Sequence, residues 1–333
     1  MAGPHTADWV VRTAPRASSL LMSVAWGHQR GGTWVLPANV CPVVPLAIAS
    51  TGSEVEFVDI DPDTLGMDER LLEARLLSSP RPVGVVDVRT YGSADGATRR
   101  HRLARRWGGP SLCIVDDRCA GIPAVHADAV WESNADVVLF STGYGKYVDL
   151  GGGGYAFVRP EIAVPEVPDP EVPFSLVEGW YKRAIRDRSP LDLEQRIRTT
   201  TKWVPSGSGP DWGDYQRRIE DAIRAVSDHK AILNTIYHRM LGHLDVLPPS
   251  CHDWRFCLRV TNRDLVLRTI FDAGGFASAH YYPTNGLFGA RPAPIAEALG
   301  SRILNLFNDH HYTQEMARRT AKAVLDHAEA RHA

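Results

Sequence analysis

Short apolar runs that break off into polar residues recur along the first half of the chain, with helical stretches between them. This alternation restricts the fold more than any other feature. The runs are Thr33–Leu36, Val55–Ile60, Val83–Val88, Leu112–Asp116, Val137–Ser141 and Tyr155–Val158. Helical patterns cover Ala17–His28, Glu69–Leu77 and Thr98–Trp107, the first followed by Gly31–Gly32 and the last by Gly108–Gly109. Strands that look apolar on both faces and alternate with helices belong to a mostly parallel sheet with helices on its faces. The expected fold class is therefore α/β.

The second half reads differently. Pro160–Pro173 is too rich in proline for a helix or a central strand, so it is expected to leave the sheet as an extended connector. Lys202–Gly213 reads as a loop. Beyond it Ile219, Ile223, Val226, Leu233, Ile236 and Met240 recur at helical spacing, which predicts a long helix to about Leu244. Strand Phe256–Val260, helix Arg263–Phe271, strand Arg302–Phe307 and a final helix from Thr313 complete an α+β tail. The expected division is a large α/β domain over 1–213, with 160–213 as an irregular connector, and a small C-terminal α+β domain over 214–333.

A chain of 333 residues with 44% apolar and 23% charged content has enough material for a sizeable core. A formal charge of −2 gives no reason to expect nucleic acid or membrane as partner. The start of the chain does not look like a signal peptide, and Pro42 and Pro45 interrupt its longest apolar run, so a cytoplasmic location is expected. The five cysteines are odd in number and form no CxxC pair, which predicts free thiols rather than disulfides or zinc. Asp309-His310-His311 is not expected to bind metal, because neighbouring histidines on an extended chain point apart. The arginines of Thr98–Trp107 are expected on a solvated outer face.

Open α/β sheets collect ligands at the ends of their strands, and three segments fall there. Cys113-Ile-Val-Asp-Asp117 delivers two carboxylates, suited to a buried cation or simply to capping a turn. Phe140-Ser-Thr-Gly-Tyr-Gly-Lys146 ends a strand with two hydroxyls, Ser141 and Thr142, suited to a phosphate. Its lysine is either a surface residue on a turn or an amine made nucleophilic by its surroundings. Gly151–Gly154 permits close backbone approach, yet it fits neither a Walker loop nor a GxGxxG fingerprint.

Taken in order, these segments resemble the fold type I enzymes that depend on pyridoxal 5'-phosphate. More narrowly they resemble the DegT/DnrJ/EryC1/StrS family of sugar aminotransferases. The likeness extends to Leu36-Pro-Ala-Asn, Val55-Glu-Phe-Val-Asp-Ile-Asp61, Val88-Arg-Thr-Tyr-Gly92, His280-Tyr-Tyr-Pro283 and Arg302-Ile-Leu-Asn-Leu-Phe307. The resemblance implies a fold type I PLP-dependent transferase with Lys146 as the Schiff-base lysine and proton carrier. It also implies Asp117 on the pyridine nitrogen and Ser141 on the phosphate. Arg16-Ala-Ser-Ser-Leu20 matches the family's phosphate loop, which places Ala17 and Ser18 at a helix N-terminus facing that phosphate. Ala120 stands where the family touches the cofactor hydroxyl, and Cys41 where it stacks an aromatic ring. Tyr91, His280 and Tyr281 are the implied substrate residues. The family's partner-subunit segment for the phosphate is absent, leaving Lys202, Trp203 or the Ser206–Ser208 loop as replacements.

The implied reaction moves an amino group from glutamate or glutamine to a keto-sugar, nucleotide-linked, within a homodimer whose sites lie at the interface. The altered positions 41 and 120 keep two other readings open. One is a PLP-dependent lyase, dehydratase or epimerase acting on an amino acid or cyclitol. The other is a degenerate, non-catalytic or regulatory homologue.

Overall fold

A computed structural model describes residues 9–328 of the chain, apart from 30, 131, 167, 171 and 192–202. Seven strands form the large sheet: β1 Val10–Ala14, β2 Thr33–Pro37, β3 Glu54–Val58, β4 Gly84–Val88, β5 Cys113–Asp117, β6 Val137–Ser141 and β7 Gly154–Val158. Their order is β1-β7-β6-β5-β4-β2-β3. Strands β2 to β6 run parallel, and β7 runs antiparallel to both β6 and β1. Helices α1 Ala17–Gly27, α2 Val43–Ala49, α3 Glu69–Leu77 and α4 Ala97–Gly108 lie between the strands.

Every residue of β2, β4, β5 and β7 is buried, which explains why these strands read as unbroken apolar runs. Alternate side chains go to opposite faces. Val86, Val88 and Val115 join α1 and α2 in one core, while Val85, Ile114 and Val138 join α3 and α4 in the other. Helix α3 starts where the sequence predicts, because the Asp68 carboxylate accepts from the Arg70 and Leu71 N–H groups at 2.8 and 3.0 Å.

Several elements differ from expectation. Strand β1 gave no separate signal, being a single short edge strand. Helix α2 forms in spite of two prolines, because Pro42 is its N-cap and Pro45 lies in the first turn, where N–H groups have no partner inside the helix. The expected irregular connector 160–213 contains α5, Phe174–Asp187. The proline run ends at Pro173, and Val177 and Ala184 then share one buried helical face. The basic helix α4 is not merely a solvated surface: Arg100 and His101 turn inward, at 2% and 1% exposure, onto Asp87.

In the second half, α6 runs over the 30 residues Trp212–Leu241, with Asp211 as its N-cap. Its early residues Tyr215 and Ile219 pack into a core of the large sheet, and its late residues Leu233, Tyr237 and Leu241 into a separate core. That second core lies on a four-stranded antiparallel sheet of β8 Asp245–Val246, β9 Phe256–Arg259, β10 Ala277–Ser278 and β11 Ile303–Leu306, in the order β10-β11-β9-β8. Helices α7 Arg263–Asp272, α8 Pro294–Arg302 and α9 Gln314–Leu325 accompany it. All five cysteines are free. Among the described residues no helix is long and apolar enough to cross a membrane.

Candidate active site

The ends of β4, β5 and β6 open into a cavity of about 430 Å³. The start of α1, the loop between β6 and β7, and residues 254, 280 and 281 from the second half complete its walls.

Strand alternation separates the two neighbouring aspartates of β5. Asp116 turns away from the cavity and is fully buried. It accepts from Arg89 Nε and Nη2 at 2.9 and 2.8 Å, Arg118 Nε at 2.9 Å and Ser133 Oγ at 3.1 Å. Burial acts to raise its pKa, but Arg89, His101 and Arg118 outweigh this and hold the carboxyl below the usual range. Asp117 faces the cavity. Its Oδ1 accepts the Cys119 N–H at 2.9 Å, and among the described residues no arginine is paired with it. Burial therefore prevails and pushes its pKa up, with Lys146 the cation acting in the opposite sense.

Lys146 sits half-buried in the cavity wall, on a loop fastened at several points. Its N–H donates to the Gly143 carbonyl at 3.2 Å, and the Leu150 N–H donates to the Thr142 carbonyl at 2.9 Å. The Asp149 carboxylate spans the loop, accepting from Gly145 N at 2.8 Å and Gly151 N at 2.9 Å. The indole of Trp254 donates to the Gly145 carbonyl at 2.7 Å.

At α1, Arg16 is an extended N-cap whose side chain makes no capping bond. Ala17 and Ser18 line the cavity there, and the first N–H groups of a helix lack internal acceptors. Beyond the lysine loop the chain returns against this helix start. A Cβ on Gly154 would lie 2.2 Å from Ala17 N, and Gly153 has φ +93° with its Cβ position 2.3 Å from the Tyr215 hydroxyl. The glycine run thus permits the close approach that forms the cradle. Ser141 lines the same space. Thr142 does not: it is fully buried, donates to the Gly152 carbonyl at 2.6 Å and is bonded to the Tyr215 hydroxyl. Its expected role at a phosphate is thereby corrected.

Cys41 and Ala120 also line the cavity, as do His280 and Tyr281. Burial, with Arg255 and Lys146 nearby, lowers the His280 pKa to about 4, which leaves the ring neutral at pH 7. Tyr91, like Thr142, does not reach the space expected of it. It is 2% exposed, packed with Leu247, Cys251 and Ala293, and does not border the cavity.

Lys202 lies outside the described residues. Trp203 is buried in the core of its own chain, where its indole donates to Ser50 Oγ at 2.6 Å, so it is not available to a partner. Ser206–Ser208 line a separate hollow beside β1 and α1. Sequence reasoning missed Arg16, Arg89, Tyr144, Phe174 and Trp254, all of which border the cavity. Arg16 and Tyr144 lie inside segments singled out from the sequence, whereas Trp254 carries no local signal beyond its place just before β9.

One cavity thus gathers a buried carboxylate left without an arginine, a primary amine, a hydroxyl and the N-terminal end of a helix. This donor set fits pyridoxal phosphate. The carboxylate suits a protonated ring nitrogen, the amine an aldehyde, and the helix start with Ser141 a phosphate.

Residues 10–164, which span β1 to β7, match the model of the DegT/DnrJ/EryC1/StrS aminotransferase family. Over 318 residues the chain is 23% identical to the erythromycin biosynthesis sensory transduction protein EryC1 of Saccharopolyspora erythraea, covering 89% of this chain and 79% of that one. Among solved structures, DesI in the presence of its TDP-sugar product is 20% identical with a TM-score of 0.70, covering 94% of this chain and 79% of that chain. NtdA of Bacillus subtilis with bound cofactor PMP is 18% identical with a TM-score of 0.68, covering 95% and 72%. At these identities the structural likeness speaks for the fold.

Proposed function

We propose that this chain is a PLP-dependent aminotransferase of the DegT/DnrJ/EryC1/StrS kind, and that it moves an amino group from glutamate or glutamine to a nucleotide-linked keto-sugar. The observation that carries the reading is the placement of Asp117 and Lys146 on one cavity, with Asp117 raised by burial. Sugar as the substrate class is supported by the family and by DesI, whose structure contains a TDP-sugar product.

Bound pyridoxal phosphate supplies an aldehyde carbon and an electron sink. Lys146 would be the amine that holds this group and, lying on the same cavity, the base and acid that moves the proton at the substrate carbon. Asp117 would offer its buried carboxylate to the protonated ring nitrogen. Ser141 and the start of α1 at Ala17 and Ser18 would hold the phosphate. Neutral His280 can accept or donate a hydrogen bond to a sugar hydroxyl without adding charge.

A homodimer is part of the same reading. Tyr144 borders the cavity yet is 85% exposed, and Leu176, on α5 close to Phe174, is 43% exposed. Such apolar surface at a cavity mouth suits a second copy closing over it.

The test is a half-reaction. Glutamate or glutamine added alone to the PLP-loaded protein should release one equivalent of the 2-oxo acid while the visible cofactor band disappears, and a nucleotide-linked keto-sugar should restore the band. A loaded protein that releases no 2-oxo acid from either donor contradicts the proposal.

A further inference from the structure

The position where the resemblance calls for a ring-stacking aromatic holds Cys41, and the neighbouring position 120 holds alanine. Neither side chain can supply a ring face. The structure fills the space from elsewhere. Ala120, Trp254 and Tyr281 form one small apolar cluster with Cys41 packed against it. The Trp254 and Tyr281 rings are stacked, 5.8 Å between centroids and 4° between planes. Both border the cavity that holds Lys146 and Asp117.

Trp254 does more than fill space. Its indole N–H donates to the carbonyl of Gly145, the residue immediately before Lys146, at 2.7 Å. Gly145 itself has φ +70°, a conformation in which the direction of its carbonyl has to be held by something other than regular secondary structure. Trp254 is in turn held from behind. Its own carbonyl accepts from Lys230 Nζ at 3.2 Å, and Lys230 also donates to Asn308 Oδ1 at 2.9 Å. The guanidinium of Arg255 lies 5.5 Å from the Trp254 ring and pairs with Asp309 at 2.9 Å. These partners come from α6 and from the segment after β11, so the tryptophan is fixed by the second half of the molecule while gripping a loop of the first.

We infer that Trp254 is a positioning residue for Lys146, and that with Tyr281 it provides the aromatic wall of the cofactor cavity in place of the ring missing at Cys41. The inference rests on the pyridoxal-phosphate reading above. It ties the orientation of the lysine loop to the second half of the chain through one indole hydrogen bond. Losing that bond loosens the loop without touching the phosphate cradle at α1.

The test compares Trp254→Phe, which keeps a ring and loses the donor, with the wild type. Affinities are measured for pyridoxal phosphate and for pyridoxal, which lacks the phosphate. The visible circular dichroism of the bound cofactor at saturation reports how firmly the ring is oriented. Loss of one neutral hydrogen bond should weaken both aldehydes by the same factor, roughly two- to tenfold, and should diminish the visible dichroism. Wild-type affinity for both with unchanged dichroism overturns the inference, as does a loss confined to the phosphorylated aldehyde. Should Trp254→Phe fail to fold, Tyr281→Leu gives the same decision, since removing the stacked ring should also weaken both aldehydes alike. A wild type that binds neither aldehyde sinks the cofactor reading itself, and this inference with it.

Discussion

The two sides of the central strands treat buried carboxylates in opposite ways. Asp87 and Asp116 point away from the cavity and are paired with arginines of the chain, Asp87 with Arg100 at 2.9 Å and with His101 3.0 Å away, Asp116 with Arg89 and Arg118. In Asp87 burial acts to raise the pKa, yet Arg100 and His101 reverse it and hold the carboxyl far below its usual range. One residue beyond Asp116 on β5, Asp117 is buried too but has a raised pKa. The first pattern satisfies charge within the chain and holds the strands in place. The second leaves the carboxyl without an arginine from the chain among the described residues, which is what the proposed site asks of it.

The largest expected effect is on the cavity side. Lys146→Ala should abolish the borohydride-sensitive visible band and lower kcat by roughly 10³-fold, within the range attributed to a lost general base and acid. Urea unfolding should show little change in stability. A variant that keeps near-normal turnover breaks the contrast at once.

On the structural side, Asp87→Ala leaves Arg100 buried without its carboxylate partner, which should cost about 3–5 kcal/mol of stability. The urea midpoint measures the loss, while the folded fraction should bind pyridoxal phosphate as the wild type does. A loss of cofactor affinity with unchanged stability would reverse the roles given to the two sides.

Asp117→Asn sharpens the comparison further, because it should separate stability from binding. A carboxyl whose folded pKa is raised above the unfolded value destabilises the folded state when ionised. The penalty is absent below the unfolded pKa of about 3.9 and grows as pH rises through the folded pKa. The cofactor-free Asn variant should therefore be at least as stable as cofactor-free wild type at pH 7, with the two converging in acid. Thermal unfolding with and without pyridoxal phosphate should show that the variant no longer gains from the cofactor.

The smallest effect concerns histidine. His280 and His252 both have pKa values lowered to about 4, chiefly by burial. A base whose folded pKa is depressed contributes stability above its unfolded pKa of about 6.5, and loses it as pH falls toward 4. Lys146 is one of the charges holding His280 down, so Lys146→Ala should raise the His280 midpoint and leave that of His252 in place, as read by proton NMR.

How much of this was legible in the sequence follows the same division. Strands buried on both faces advertise themselves as apolar runs, and their polar ends pointed to Asp117, Ser141 and Lys146, which the fold brings to one cavity. Elements whose stability comes from position did not show. Helix α2 tolerates prolines only because they fall at its start, and α5 hid behind the proline run ending at Pro173. The inward turn of Arg100 and His101 was invisible because an arginine-rich helix looks alike whether or not Asp87 waits beneath it. Thr142 was misjudged for a related reason. A hydroxyl at a strand end can face the cavity or the core, and Tyr215, far along the chain, decides which. Trp254 reaches the lysine loop from 109 residues away, a contact that no local pattern encodes.

Mass spectrometry of the PLP-loaded protein after borohydride reduction and digestion puts the assignment of the site to its most direct test. Lys230 makes the test demanding, because burial lowers its pKa to about 7 and so gives the chain a second amine suited to an aldehyde. The phosphopyridoxyl mass should appear on the peptide carrying Lys146, and on none carrying Lys182, Lys202, Lys230 or Lys322. A label on Lys230 in place of Lys146, or no label at all, would contradict the site described.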